Sequence, residues 1–199
     1  MVVTVGDTPA RGTTSVEAIL DATRRVIAER GPGRFTMSAI ATTAGVSRPT
    51  LYKWFPTKDA LLAALTAYEE ELFDARLQAV IEAQRTPARR LDAALRLLVT
   101  YLDGLMGPDP IGADPGFAIQ SLATSLAPQT ASFVRRLDDA FETLPAVREG
   151  RLSREAAAAL FLRLAYSHYL VPHPDPEVLL AEMRSFAGLP RRSITSAAG

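Results

Sequence analysis

Cysteine is absent from this sequence, lysine occurs only twice, and no apolar run is long. Without cysteine the chain forms neither disulfides nor thiolate metal sites, which fits a reducing compartment. No apolar stretch reaches the ~18 residues that a membrane-spanning helix needs. The N-terminal segment MVVTVGDTPARGTTS also lacks the basic and apolar parts of a secretory signal. These absences predict a soluble protein of the cytoplasm.

The residue patterns of common enzymes are missing as well. There is no nucleophile–base arrangement, no glycine-rich loop for phosphate and no metal-binding motif. The two histidines, His168 and His173, lie on either side of an expected helix end, which is poor spacing for a metal site. We therefore expect neither enzymatic activity nor a bound metal or cofactor.

The formal net charge is zero, and taken alone this argues against a nucleic-acid-binding protein. The charges, however, are unevenly distributed. Residues 10–60 hold eight cationic side chains and four acidic ones, whereas the chain from residue 61 onward holds 14 arginines and 17 acids. Both lysines, Lys53 and Lys58, lie in the positive segment, and the excess of arginine over lysine indicates a bacterial genome of high GC content. Contact with DNA phosphates is therefore expected at the N-terminal region.

Residues 36–58, TMSAIATTAGVSRPTLYKWFPTK, have the pattern of a helix-turn-helix. Gly45 falls at the turn, where the left-handed backbone conformation costs a glycine nothing. Ser47 is suited to cap the second helix, and Pro49 lies in its first turn, where a missing N–H does no harm. The apolar positions of the expected small core are Met37, Ile40, Val46, Leu51 and Phe55.

The second helix of the motif has two different faces. Leu51 and Phe55 share the face that points inward, while Arg48 and Tyr52 share the opposite one. An apolar back and a front of Arg, Thr, Tyr and Lys are what a helix needs to read the major groove of DNA. Look-alike motifs occur in helical proteins of other kinds, and simple helix packing is the alternative interpretation.

Helical periodicity and start signals predict an all-α chain of about nine helices, because no stretch alternates with period two for long enough to form a strand. A capping residue followed by proline recurs at several of the expected helix starts. The predicted helices cover about residues 14–30, 36–44, 47–55, 57–85, 86–106, 114–126, 128–147, 153–171 and 175–187. We interpret residues 1–12 as a flexible arm and residues 191–199 as a tail.

The N-terminal layout resembles that of the TetR (tetracycline-repressor) family of bacterial transcriptional regulators. The resemblance is carried by the capped first helix, the GPGRF segment, TLYKWFPTK and the KDAL start of the next helix, over about residues 13–65. Beyond this region only helix number, length and the pairing of the last two helices agree. The resemblance implies a helix-turn-helix domain over 13–60 (motif 36–55), a ligand-binding and dimerisation domain over 61–190, and a homodimer that binds a palindromic operator in double-stranded DNA.

The family roles carry over to positions of the motif. The guanidinium of Arg48 is suited to bond two acceptors on a guanine edge. The hydroxyl of Tyr52 would reach a phosphate, and Lys58 adds charge where a helix dipole already favours one. For Tyr52 and Trp54, packing within the motif is the alternative. The expected DNA-contacting residues are Thr36, Ser47, Arg48, Pro49, Thr50, Tyr52, Lys53, Trp54 and Lys58.

The helices between residues 86 and 147 carry aromatic and methionine side chains at inward spacings. In the family they would line an inducer cavity, whereas an aromatic stripe of this kind is also compatible with plain core. The expected lining residues are Leu98, Tyr101, Met106, Phe117, Leu122, Phe133, Leu137 and Phe141. No carboxylate cluster or arginine fork stands out in this region, so we expect an unknown small effector of apolar or amphipathic character.

The last two predicted helices carry small and apolar residues that suit close packing with a second copy. Paired with that copy, they would form the four-helix interface that the family uses, with intramolecular core as the alternative. The expected interface residues are Ala156, Leu160, Leu164, Ser167, Val178, Leu179, Met183 and Phe186. The sequence therefore predicts a homodimeric repressor released from DNA by a small molecule. An architectural DNA-binding protein without an effector is the alternative, and an enzyme has no support in the sequence.

Overall fold

The computed structural model describes residues 15–31, 34–105, 115–171 and 175–189. These ranges contain nine helices and no strand, so the predicted all-α class is confirmed. No helix within them is apolar over a length that would cross a membrane. The helices are α1 (Ser15–Arg30), α2 (Met37–Ala44), α3 (Arg48–Trp54), α4 (Lys58–Glu82), α5 (Pro87–Leu105), α6 (Pro115–Phe141), α7 (Pro145–Arg148), α8 (Arg154–Leu170) and α9 (Pro176–Phe186).

Several helices begin at the capping residues that the sequence indicated. The Thr57 Oγ1 accepts a hydrogen bond from the Ala60 N–H at 3.0 Å, which fixes the start of α4. Ser153 caps α8 through the Ala156 N–H at 3.1 Å, and Asp175 caps α9 through the Glu177 N–H at 2.9 Å. Each bond satisfies an N–H that the helix itself leaves without a partner. The cap predicted for α1, at residue 14, lies outside the described residues.

The prediction of two helices over 114–126 and 128–147 was wrong. Pro128 lies inside the continuous helix α6, which ends at Phe141 and is followed by the short α7. Proline cannot donate to the carbonyl of Thr124, but both residues are exposed, so water can take the place of the missing donor. A local departure from helical geometry occurs later, at Leu137 (φ −119°, ψ 23°). Helix α4 likewise ends at Glu82, slightly before the predicted end.

The chain forms two compact units that divide between Tyr68 and Glu69, within α4. The division predicted from the sequence, at residues 60–61, falls earlier on the same helix and remains an interpretation. The first unit has its own apolar core, and its fully buried members include Ile19, Ile40, Leu51 and Leu61. The predicted arm (1–12) and tail (191–199) lie outside the described residues.

The second unit packs α5, α6, α8 and α9, with the end of α4, around a larger core. Its aromatic centre is formed by Phe73, whose ring stacks on Phe133 with centroids 5.9 Å apart and meets Tyr101 edge-on at 4.9 Å. Both arrangements avoid direct face-to-face repulsion between rings. This core fills the space between helices of the second unit.

Helix α9 is joined to α5 by a buried ion pair. The guanidinium of Arg184, whose side chain is 7% exposed, holds the carboxylate of Asp92 through two hydrogen bonds, of which the Nη2–Oδ2 bond measures 3.0 Å. The bonds to Asp92 also raise the pKa of Arg184 further above its usual value. A second, exposed pair between Arg96 and Glu177 (2.9 Å) joins the same two helices. Helix α9 is therefore attached to α5 by charge as well as by apolar packing.

Candidate nucleic-acid interface

The turn between α2 and α3 has the geometry that the sequence indicated. Thr36 caps α2 by accepting the Ala39 N–H at 3.2 Å. Gly45 adopts φ 68° and ψ 25°, the left-handed conformation that residues with a Cβ disfavour. Ser47 then caps α3 through the Thr50 N–H at 3.2 Å, and its hydroxyl also bonds the Thr50 hydroxyl at 2.7 Å. The hydroxyls of Thr36, Ser47 and Thr50 thus stabilise the starts of the two helices of the motif.

The inward face of α3 is packed into the core of the first unit. Leu51 is fully buried, Phe55 is 7% exposed, and both contact the cluster that contains Ile40. Met37 and Val46 are partly buried against the same cluster, so the five predicted core positions of the motif are confirmed. Because the buried face fixes the helix, the residues between these positions must face solvent.

The outward face of α3 is polar, aromatic and exposed. Tyr52 and Trp54 are 46% and 50% exposed, which is unusual for large aromatic side chains, and neither is packed into the core. The other exposed residues of this face are Arg48, Pro49 and Lys53. Exposed aromatic rings beside cationic side chains are a common feature of surfaces that bind a partner.

Two side-chain contacts near this face were not predicted from the sequence. The Lys58 ammonium at the start of α4 lies 4.1 Å from the centroid of the Phe35 ring, a cation–π contact that orients the side chain. The Arg48 guanidinium donates a hydrogen bond to the Ser38 hydroxyl of α2. No motif signals either contact, because each depends on how α2, α3 and α4 pack rather than on local spacing.

The predicted effector-lining residues are partly brought together by the second unit. Leu98, Phe133, Leu137 and Phe141 are buried in its core, and Tyr101 and Leu122 are partly buried against it. The Tyr101 hydroxyl donates to the carboxylate of Glu69 at 2.7 Å. Met106 and the side chain of Phe117 lie outside the described part of the chain.

An arginine of this region is held by polar side chains of α4, a cluster that the sequence did not reveal. Asp74 of α4 accepts hydrogen bonds from Ser132 at 2.5 Å and from Arg136 at 3.1 Å. Arg136 also donates to Gln78 at 2.5 Å. Burial, together with the charge of Asp74, raises the pKa of Glu70. These partners lie 58 and 62 residues apart in the sequence, so no local pattern could reveal them.

The predicted dimer residues fall into two groups. Leu179 and Met183 are buried in the protomer's own core, because the apolar face of α9 turns toward α5 and α8. They are not surface residues, and on this point the prediction is corrected. Those that remain wholly or partly accessible are Ala156, Leu160, Leu164, Ser167, Val178 and Phe186. On α9 an open groove of about 590 Å³ is lined by Val178, Ala181, Glu182, Ser185 and Phe186.

Comparison with known proteins gives the N-terminal part a clear relationship. Residues 19–65 match the sequence model of a family described as bacterial regulatory proteins, tetR family. The nucleoid occlusion factor SlmA of Marinobacter nauticus is 26% identical over 136 residues, which cover 68% of this chain and 68% of that protein. Other curated relatives match over 37% to 47% of their own length.

Solved structures share the fold along most of the chain. A TetR-family transcriptional regulator from Pectobacterium atrosepticum has a TM-score of 0.58 at 22% identity, with 89% of this chain and 96% of that chain covered. AibR in complex with isovaleryl coenzyme A and operator DNA has a TM-score of 0.58 at 21% identity, with 89% and 100% covered. At these identities the likeness concerns the fold alone.

Proposed function

Because this chain belongs to the tetR family of bacterial regulatory proteins, we propose that it is a homodimeric repressor that binds a palindromic operator through α3 and is released by a small effector. The observation that carries the proposal is the outward face of α3, which presents Arg48, Tyr52, Lys53 and Trp54 to solvent from a firmly capped helix-turn-helix. We assign the dimer contacts and the effector to the second unit.

The dimensions and charge of α3 suit the major groove. A helix of this width enters a groove about 12 Å wide, and the N-terminal residues of such a helix reach the base edges. Arg48 is the first residue of α3 and takes the base-reading role. Lys53 and Lys58 supply cations for phosphates, and Tyr52 and Trp54 supply hydrogen-bond donors beside them.

Dimerisation supplies the two recognition helices that a palindrome requires. Copies of α3 must lie about 34 Å apart to enter successive major grooves on one side of the duplex. We assign the contact between copies to α8 and α9, where Val178 and Phe186 remain 37% and 48% exposed although they are apolar. Exposed apolar side chains beside a groove favour a protein partner over solvent.

The effector half of the proposal rests on one polar group buried in the second unit. The Tyr169 hydroxyl has no hydrogen-bond partner within the described ranges, although the residue is only 5% exposed. A buried hydroxyl without a partner costs about 1–3 kcal/mol, which a ligand with a polar group would offset. The solved AibR complex contains isovaleryl coenzyme A, a molecule with apolar and polar parts. Helix α4 contributes residues to both units and is the continuous element through which binding would reach α3.

Selection of bound sequences from a random duplex pool tests the proposal. Recovery of a short inverted repeat would support sequence-specific binding by a dimer and would supply an operator for effector screening. Recovery of DNA without any preferred sequence would contradict it.

An architectural, effector-independent DNA-binding protein is the second candidate. It is favoured by the similarity to SlmA, a nucleoid occlusion factor, which extends over 68% of both chains. One measurement distinguishes the two candidate functions: the affinity for the operator in the presence of saturating small molecules. An affinity that no compound of a broad screen changes would favour the architectural protein.

Replacement of Arg48 by alanine is expected to weaken operator binding by about 1–3 kcal/mol and to relax the base preference at one position of each half-site. The folded state should be unaffected because Arg48 is exposed. Fluorescence anisotropy with the selected operator and a scrambled duplex measures both effects. Arg89→Ala, an exposed arginine of α5, is the matched control. An unchanged base preference would show that Arg48 does not read bases.

Replacement of Tyr169 by phenylalanine is expected to raise the melting temperature, since it removes a buried hydroxyl without a partner. The matched variant Tyr166→Phe should lower it, because the Tyr166 hydroxyl donates to Gln129 at 2.8 Å. Thermal unfolding of both variants at one protein concentration measures the difference. Equal destabilisation by the two substitutions would mean that Tyr169 has a structural partner rather than a free hydroxyl for an effector.

A further inference from the structure

The contact between Arg48 and Ser38 joins the two helices of the motif at their N-terminal ends. Arg48 is the first residue of α3, and Ser38 is the second residue of α2. One guanidinium nitrogen, Nη2, donates to the Ser38 hydroxyl oxygen. Within the described part of the chain, no carboxylate lies in ion-pair distance of Arg48, so this neutral hydroxyl leaves the cationic charge uncompensated.

Ser38 is itself held in place by the start of α2. Thr36 caps that helix through the Ala39 N–H, and the Thr42 hydroxyl donates to the Ser38 carbonyl oxygen at 3.0 Å. The side chain of Ser38 therefore projects from a rigid helical turn. A hydrogen bond from such a turn restricts the rotamers of a long arginine side chain before any ligand arrives, and the ordering cost on binding falls accordingly.

We propose that Ser38 is a positioning residue for Arg48, one that directs the remaining guanidinium N–H donors toward the base edge and thereby sets the strength and selectivity of readout. The inference rests on the proposed DNA-binding function. A guanidinium has five N–H donors in a planar fork, so one bond to Ser38 leaves the donors needed for a bidentate contact with guanine.

A double-mutant cycle tests the inference. Operator affinity is measured for the wild type, Ser38→Ala, Arg48→Ala and the double variant, each with the selected operator and with a duplex changed at the base pair read by Arg48. We expect Ser38→Ala to weaken operator binding about 3- to 10-fold, as for the loss of one hydrogen bond. The loss should be absent when Arg48 is already alanine. Ser38→Thr, which keeps the hydroxyl, should restore discrimination between the two duplexes, and Thr43→Ala, an exposed position of the same helix, is the matched control.

Three outcomes would overturn the inference. An equal loss from Ser38→Ala in both backgrounds would make Ser38 an independent DNA ligand, and tighter binding by Ser38→Ala would mean that the serine holds Arg48 back. Unhindered rotation of the Arg48 guanidinium in NMR spectra of the DNA-free wild type would show that the bond is not formed. Failure of the proposed function is distinguished by the wild type itself, which would then select no preferred sequence.

Discussion

An aspartate in place of Val178 is expected to convert the proposed homodimer into monomers and to weaken operator binding at least about 100-fold. Val178 lies on α9 beside the open groove and is 37% exposed in the protomer, so the substitution does not disturb the core. In the dimer the new carboxylate would lose its water without gaining a cation, which costs several kcal/mol. About 2.8 kcal/mol suffices for a 100-fold loss of affinity.

Sedimentation velocity over a range of concentrations measures the dimer, and fluorescence anisotropy measures operator binding. The matched control is Ile119→Asp, which introduces the same charge at a 59% exposed apolar position of α6, a helix outside the two assigned to the contact. The control should remain dimeric and bind DNA normally. A Val178→Asp protein that stays dimeric would place the contact between copies elsewhere, and the assignment to α8 and α9 would be wrong.

Removal of the Asp92 carboxylate is expected to destabilise the second unit by about 3–5 kcal/mol, because Asp92→Ala leaves the buried Arg184 guanidinium without its partner. Few single substitutions have effects of this size. Urea denaturation followed by circular dichroism gives the change in free energy of unfolding. All variants must be compared at one protein concentration, since the proposed dimerisation would add to the apparent stability.

An exposed ion pair of the same chain provides the contrast. Arg154 bonds Asp138 and Glu142 at the surface, so Asp138→Ala should lower the free energy of unfolding far less than Asp92→Ala does. If Asp92→Ala proves equally mild, the buried guanidinium must be reached by water or by another acceptor. That result would mean that the ion pair does not hold α9 rigidly against α5.

The helix-turn-helix was predictable because its signals are local. Gly45 at the turn, Ser47 at the cap and Leu51 on the inward face each act on neighbours within a few residues, and the structure uses all three as expected. The helix start at Asp175-Pro176 was recognisable for the same reason. Helical periodicity and helix start signals are equally local, and they were sufficient to predict the all-α class.

The errors arose where distant residues decide the outcome. Pro128 ends a helix by local rules, yet α6 continues through it because packing on both sides and solvent access outweigh one lost hydrogen bond. Whether an apolar position of α9 faces the core or solvent depends on α5 and α8, and so Leu179 and Met183 were assigned to the wrong surface. The partners of Asp74 and Asp92 lie far along the chain and left no trace in sequence spacing.

The candidate interface shows the same division. Most of its exposed residues on α3 were predicted from helical periodicity and Trp54 from the family resemblance, whereas the contacts that orient them were not. Ser38 and Phe35 are ordinary residues in the sequence, and their roles follow only when α2, α3 and α4 are packed together. Sequence patterns therefore indicate which side chains face outward, and tertiary packing decides how firmly each one is held.

Both lysines of the sequence lie at the candidate interface, which therefore has an amine reactivity that other side chains of the protein lack. Lys53, exposed on α3, and Lys58, whose ammonium rests against the Phe35 ring, carry every side-chain amine in the sequence. Acylation of lysine, whether by a reagent or by an enzyme, thus removes positive charge from α3 and the start of α4 and nowhere else. The two amines differ in accessibility, and Lys53 is the more open to attack. Protection of these two amines from acylation would therefore report whether a partner covers the candidate interface.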